Sequence, residues 1–289
     1  MVLVGVGEQR SVSSMELTAL VTGADHGVGL ALVETLLKQG SRVFAGRYQT
    51  EETALEELQL RYQGSLTLIP LDIGSDESVQ DAAKTVRAHT DRLDILINNA
   101  GILGDIEATV MDELNYDEML KVFNVNALGA LRMTQAFVPL VLNSASKMIA
   151  NISSEAGSIG QNERSSWFGY CMSKAALNMG SSLVYNGLKE AGGRVLLIHP
   201  GWVQTFMRGE VDASADLTPA ESAAKIISLI MERIGQRNGR GLGSSADNAL
   251  DGASGKAFSD TLDSANNTSG NVSGDGPEYI DVYGNPLPW

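Results

Sequence analysis

Short apolar runs alternate with helical periods along most of this chain. The segments 17–22, 42–46, 66–71, 93–97, 147–152 and 194–199 are mostly apolar and short, as buried strands are. Between them, 28–39 repeats apolar residues at helical spacing, with Leu30, Val33, Leu36 and Leu37 on one side. Segments 51–62, 76–89, 116–142 and 166–190 read as further helices. Thr218, Pro219 and Glu221 mark another helix start: a threonine N-cap, a proline at the first helical position and a glutamate closing a capping box. That helix is predicted to run to about Ile234. Strands that are nearly all apolar and separated by helices predict a parallel sheet covered on both faces. With 278–283 as a last strand, the pattern predicts a doubly wound α/β domain with a seven-stranded sheet. Residues 286–289 read as a docked tail.

Two stretches break the pattern. Residues 1–15 read as a flexible leader. Residues 236–277 are rich in Gly, Ser, Asn and Asp and poor in apolar side chains. Such a segment buries too little surface to offset its ordering entropy, so it is expected to be a disordered insertion. The catalytic domain is therefore placed at 16–235 and completed by 278–289.

Charge and composition narrow the function. A net charge of -14 excludes a phosphate-neutralising nucleic-acid binder. A single cysteine, Cys171, rules out an intrachain disulfide and leaves no Cys-based metal site. No apolar run reaches the roughly 20 residues of a membrane span. The first residues lack the basic start and apolar core of a signal peptide, so a cytoplasmic protein is expected.

The turn after the first strand carries Thr22-Gly23-x-x-x-Gly27-x-Gly29. Glycines at a strand-to-helix turn let the backbone approach a pyrophosphate, and the helix N-terminus offers N–H groups to the anion. The second strand ends in Arg47, where a carboxylate would select the ribose hydroxyls of NAD. A guanidinium suits a 2′-phosphate instead, so NADP(H) is favoured and NAD(H) stays open. Tyr170 and Lys174 lie four residues apart, about one helical turn, and so share a face. An ammonium beside a phenol favours the phenolate, which can exchange a proton with a carbonyl or alcohol oxygen.

Taken together and in order, Thr22-Gly23-x-x-x-Gly27-x-Gly29, Asp72, Asn98-Asn-Ala-Gly101, Asn126, Ser154, Tyr170-x-x-x-Lys174 and Pro200-Gly201 resemble the short-chain dehydrogenase/reductase family, built on the Rossmann fold. The runs 151–160, 172–178 and 199–205 look most like carbonyl reductases of the sniffer and C-factor type. The resemblance implies a catalytic set of Asn126, Ser154, Tyr170 and Lys174. Tyr170 would be the general acid in reduction, Lys174 would lower its pKa and hold the nicotinamide ribose, and Ser154 would hydrogen-bond the substrate oxygen. Asn126 would hold a water linking Lys174 to solvent. Thr22, Gly23, Asp25, Gly27, Val28 and Gly29 would form the phosphate turn. Arg47 would meet the adenosine phosphate, and Asp72 with Ile73 would sit near adenine. Asn98, Ala100 and Gly101 would line the ribose, with Pro200, Gly201, Val203 and Thr205 against the nicotinamide.

The implied reaction is hydride transfer between NADP(H) and a carbonyl or secondary alcohol. An NAD-linked alcohol dehydrogenase and a non-catalytic dinucleotide sensor are the alternatives. Ser153 adjoins Ser154, and neighbouring strand residues face opposite sides, so only one can face the substrate. The 16-residue step from Ser154 to Tyr170 is longer than the family pattern, which places a loop around 161–166 beside the substrate mouth. Ile102, Leu103, Trp167, Trp202, Phe206 and Met207 suggest a hydrophobic mouth. Pairing of two copies through the long helices 116–142 and 166–190 is possible within this family.

Overall fold

The computed structural model describes residues 16–49, 53–207, 209, 211–240 and 276–289. The expected leader at 1–15 lies outside the described residues, as does 241–275 of the expected insertion. Seven strands form one parallel sheet: β1 (Thr18–Val21), β2 (Arg42–Arg47), β3 (Leu66–Pro70), β4 (Ile95–Asn98), β5 (Met148–Ile152), β6 (Arg194–His199) and β7 (Glu278–Asp281). Their spatial order is β3-β2-β1-β4-β5-β6-β7. The order reverses between β1 and β4, which opens a crevice at the carboxyl ends of the strands.

Alternation along the strands sorts the core into two layers. Ala19, Val21, Val43, Ala45, Ile95 and Ile97 face one side. There they meet α1 (Gly27–Lys38), α2 (Ala54–Arg61) and α7 (Pro219–Arg240) through Leu32, Leu36, Leu55, Ile226 and Ile230. Leu20, Phe44, Leu96 and Ile149 face the other side. Their partners come from α3 (Asp76–Arg87), α5 (Ala130–Leu142) and α6 (Phe168–Leu188), and include Val79, Met133, Phe137 and Leu188. Phe137 is fully buried, so its truncation to alanine costs about 3–5 kcal/mol.

Three helix readings are corrected by the structure. The long helix over 116–142 is α4 (Tyr116–Phe123), a π turn (Asn124–Gly129) and then α5. At the π turn the Asn126 amide grips the Ile102 backbone at both ends, 2.8 Å each way, and Gly129 lets Ile73 pack against bare backbone. The stretch Tyr116–Leu142 is long and apolar enough to cross a membrane, contrary to the run-length reading, but 56% of its most apolar window is buried inside the fold. Helix α6 begins at Phe168 rather than 166 because Trp167 sits at φ 65°, a left-handed turn no helix continues through. Helix α7 runs to Arg240, past Ile234, so the start of the expected insertion is helical. Gln236 extends the helical pairing by donating to Glu232 at 2.9 Å. The capping box closes as its sequence dictates: the Glu221 amide donates to Thr218 Oγ1 at 3.2 Å, and Glu221 Oε2 accepts from the Thr218 amide at 2.9 Å.

Candidate active site

The glycine-rich turn is packed flush against the end of β4. Thr22 Oγ1 accepts from the backbone N–H of Asn99 and of Ala100, both at 3.0 Å. The Asn99 amide donates back to the carbonyls of Thr22 and Gly23. Gly23 has φ 61°, and a Cβ there would lie 2.8 Å from Ala100 Cα. A Cβ on Gly29 would lie 2.0 Å from the Gly23 carbonyl oxygen. Both positions therefore admit only glycine. Helix α1 opens at Gly27 with no side-chain cap from His26 and no acidic residue in its first turn. Its first N–H groups and dipole suit a phosphate.

The other residues expected at a cofactor take varied places. Asp25 is buried and accepts from the Tyr48 and Gln49 amides at 3.1 and 2.9 Å, bracing the turn against the chain after β2. Arg47 pairs with Glu56 of α2 at the end of β2. Asp72 accepts from the Gly74 amide at 2.8 Å, and Ile73 is buried against Gly129. The Asn98 side chain turns into the sheet and donates to Asn151 at 2.8 Å, so only its backbone is left to face a ribose. Ala100 and Gly101 follow β4 half-buried, and a Cβ on Gly101 would approach Asn126 Oδ1 and Lys174 Nζ. Thr205 folds over the turn with its methyl 3.5 Å from the Cβ position of Gly27. Pro200 accepts from Ser222 at 2.7 Å, and Val203 bridges to Leu217, which holds the loop after β6 in place. Gly201 takes φ 80° against the Leu217 side chain.

Ser154, Tyr170 and Lys174 converge at the end of β5. Ser153 Oγ donates to Asn178 of α6 at 2.6 Å and Ser154 Oγ to Glu155 at 2.7 Å, and both serines border the cleft. Ser154 and Tyr170 line the same cleft. Lys174 is buried and donates to the Ile152 carbonyl at 2.8 Å, and burial pushes its pKa down to about 8. The Tyr170 phenol is the reverse of the sequence expectation. Burial raises it well above its ordinary value. Lys174 does not offset this, since its ammonium is turned to Ile152 and lies 5.6 Å from the ring centre. The Asn126 side chain is committed to Ile102 and to Ser173 Oγ, 3.0 Å away. Ser173 in turn donates to the Tyr170 carbonyl, so Asn126 fixes the first turn of α6.

Ser154 and Tyr170 line a cleft of about 440 Å³, while Lys174 and Asn126 are buried off it. Leu103, Trp167, Trp202 and Met207 form its apolar walls, while Ile102 and Phe206 lie off it. The left-handed Trp167 sets its ring edge-on to Tyr170 at 6.0 Å. The loop at 161–166 does reach the mouth, through Arg164, which stacks over Trp167 at 5.1 Å.

Four residues at the site were not singled out by sequence. Glu155 accepts from Ser154 Oγ at 2.7 Å and pairs with Arg164 at 2.5 Å. His199 Nδ1 stands 3.3 Å from the same carboxylate, and Tyr279 of β7 donates to the Ser154 carbonyl. Only Glu155 had a visible signal, a charge directly after the serine.

The family profile of short chain dehydrogenase matches residues 17–216. The chain belongs to the short-chain dehydrogenase family. Its sequence is similar to the C-signal protein of Myxococcus xanthus, 41% identical over 120 residues, covering 42% of this chain and 71% of the relative. Its fold is similar to the NADPH-bound carbonyl reductase from chicken fatty liver, with a TM-score of 0.72 at 27% identity, covering 95% of this chain and all of the other. The carbonyl reductase Sniffer of D. melanogaster shares the fold at a TM-score of 0.75 and 23% identity, over 95% of this chain and 100% of that one. As a short-chain dehydrogenase, the chain is an oxidoreductase of the alcohol and carbonyl class, built on a Rossmann sheet.

Proposed function

We propose that this short-chain dehydrogenase is an NADPH-dependent carbonyl reductase. The observation that carries the reading is Ser154 and Tyr170 lining one cleft beside the glycine-rich turn, with Lys174 buried one helical turn from Tyr170. A bound NADPH supplies the hydride that adds to the carbonyl carbon. Tyr170 gives its proton to the carbonyl oxygen, forming the alcohol. A neutral, buried phenol is the competent form for that step. Lys174 stands on the same helix face with a pKa near neutrality, fit to return a proton to Tyr170. Trp167, Trp202 and Leu103 give the cleft an apolar wall beside Tyr170.

The uncapped N-terminus of α1 and the glycines at 23, 27 and 29 fit a pyrophosphate. Arg47 would hold the 2′-phosphate, exchanging its Glu56 partner for a stronger anion. The NADPH held by the chicken reductase supports this choice. Leu131, Met179 and Leu183 stand exposed on α5 and α6, and we assign that face to a second copy of the chain. Fluorescence titration with NADPH and NADH tests the cofactor reading: selective NADPH binding supports it, and equal or absent binding overturns it.

A further inference from the structure

Tyr279 has no part in the reaction just described, yet it reaches the site from outside the stretch that the family profile matches, residues 17–216. It lies on β7 and is buried, and its hydroxyl donates to the Ser154 carbonyl across 125 positions of sequence.

The Ser154 side chain is tied within its own turn. Its Oγ accepts from the Ala156 amide at 3.1 Å and donates to Glu155 at 2.7 Å. The Ser154 carbonyl accepts from the Gly157 amide at 2.9 Å and opens a single 3-10 turn, Glu155–Gly157. These bonds set the hydroxyl against residues 154–157 but not against Tyr170. The place of the turn in the cleft is set by groups outside it. Asn178 of α6 donates to the Gly157 carbonyl at 3.2 Å, and Arg164 and His199 stand beside the Glu155 carboxylate. Tyr279 takes the second lone pair of the Ser154 carbonyl, and so holds the backbone of the serine itself.

Tyr279 is in turn held by the chain that follows it. Asp281 accepts from the Tyr283 and Asn285 amides at 2.8 and 2.9 Å, which turns the chain back on itself. The tail then runs along β7: the Leu287 amide donates to the Tyr279 carbonyl at 2.8 Å, and Pro286 bridges to Ile280. The Trp289 ring lies 5.6 Å from the Tyr279 ring, and a Trp289 backbone oxygen accepts from the Gly160 amide at 3.2 Å. This hairpin therefore grips the serine turn at Ser154 and again just past it, at Gly160. Burial raises the Tyr279 phenol to about 12, so at neutral pH it keeps the proton it donates.

We propose that Tyr279 is a positioning residue for the reaction: its hydroxyl carries the Ser154 turn, and the active site is complete only with the β7 hairpin docked. The catalytic part rests on the carbonyl-reductase reading above, with Ser154 meeting the substrate oxygen; the support of the turn does not.

The test is Tyr279→Phe, which removes the hydroxyl and leaves the ring against Trp289. The folded variant should lose kcat for carbonyl reduction on the order of tenfold, with NADPH affinity unchanged. In a Ser154→Ala background the same change should cost less than about twofold, because the group it places is gone. A hydroxyl that only stabilises the fold lowers Tm and leaves kcat alone. Hydrogen exchange gives a readout free of activity: the amides of 156–160 should exchange on the order of fivefold faster in Tyr279→Phe, with those of 22–29 unmoved. Trp289→Ala, which loosens the hairpin from its exposed end, should move kcat and exchange in the same direction. An unchanged kcat in folded Tyr279→Phe overturns the proposal, as does a loss of equal size with and without the Ser154 hydroxyl. So does unmoved exchange at 156–160. If the wild type reduces no carbonyl, the reductase reading fails, while exchange still decides whether Tyr279 holds the turn.

Discussion

Lys174 lies with its ammonium nitrogen 5.6 Å from the centre of the Tyr170 ring, yet its hydrogen bond goes to the Ile152 carbonyl. The two groups share a helix face and a burial cost, and burial acts on them in opposite directions. It raises the phenol and lowers the ammonium to about 8, so two groups with nearly equal ordinary values are driven apart, and the lysine becomes the stronger acid, able to re-protonate a tyrosinate.

Removing the Tyr170 hydroxyl should therefore remove the proton step and little else. Tyr170→Phe is expected to lower kcat for carbonyl reduction by about 10²–10⁴-fold with NADPH affinity largely kept, since the ring still packs on Trp167. Steady-state kinetics with a nucleotide titration separate the two effects.

The lysine makes a prediction about stability and pH. Its folded pKa of about 8 lies below the unfolded value of 10.5, so between those pH values the unfolded chain binds more protons. Stability from this group therefore rises as pH climbs from 8 to 10.5, by on the order of 3 kcal/mol. Below pH 8 the buried charge is a standing cost. Denaturant melts of wild type and Lys174→Met should show the wild type gaining on the variant across that window. Parallel curves would mean the ammonium is not desolvated.

Arg47 is the handle on cofactor choice. Arg47→Asp places two carboxylates, its own and Glu56, where one ion pair stands. The variant should bind NADPH about 10–100-fold more weakly and NADH no worse, because a charge-assisted bond to phosphate is lost. Ratios of kcat/KM for the two nucleotides measure this directly.

The glycine-rich turn tolerates no methyl group at Gly29, where a Cβ would sit 2.0 Å from the Gly23 carbonyl oxygen, a backbone atom. Gly29→Ala should displace Gly23 from its seat on Ala100, abolish nucleotide binding and lower Tm. An alanine variant that binds normally would show that the turn is not packed as described.

The sheet and its order of helices were legible because apolar strands and periodic helices are written in one dimension. The catalytic pair was legible because a helix converts a four-residue step into a shared face. Strand alternation alone could not choose between Ser153 and Ser154; the family resemblance pointed to Ser154, and the fold gives Ser153 to Asn178 and Ser154 to Glu155. What was not legible depends on contacts between distant segments. That the Asn98 side chain pairs with Asn151 depends on β5 lying beside β4. The π turn at Asn126 follows from a grip on Ile102, which no local period encodes. The rise of the Tyr170 phenol comes from burial by the whole fold, where the sequence offered only the nearby lysine. Tyr279 reaches Ser154 from 125 residues away.

The most direct test follows NADPH consumption by wild type and by Tyr170→Phe over a panel of aldehydes, ketones and quinones. The account predicts NADPH-dependent reduction of at least one of these carbonyls by the wild type, little with NADH, and near-complete loss of it in Tyr170→Phe. Undiminished turnover in Tyr170→Phe, or a wild type that binds neither nucleotide, would contradict it.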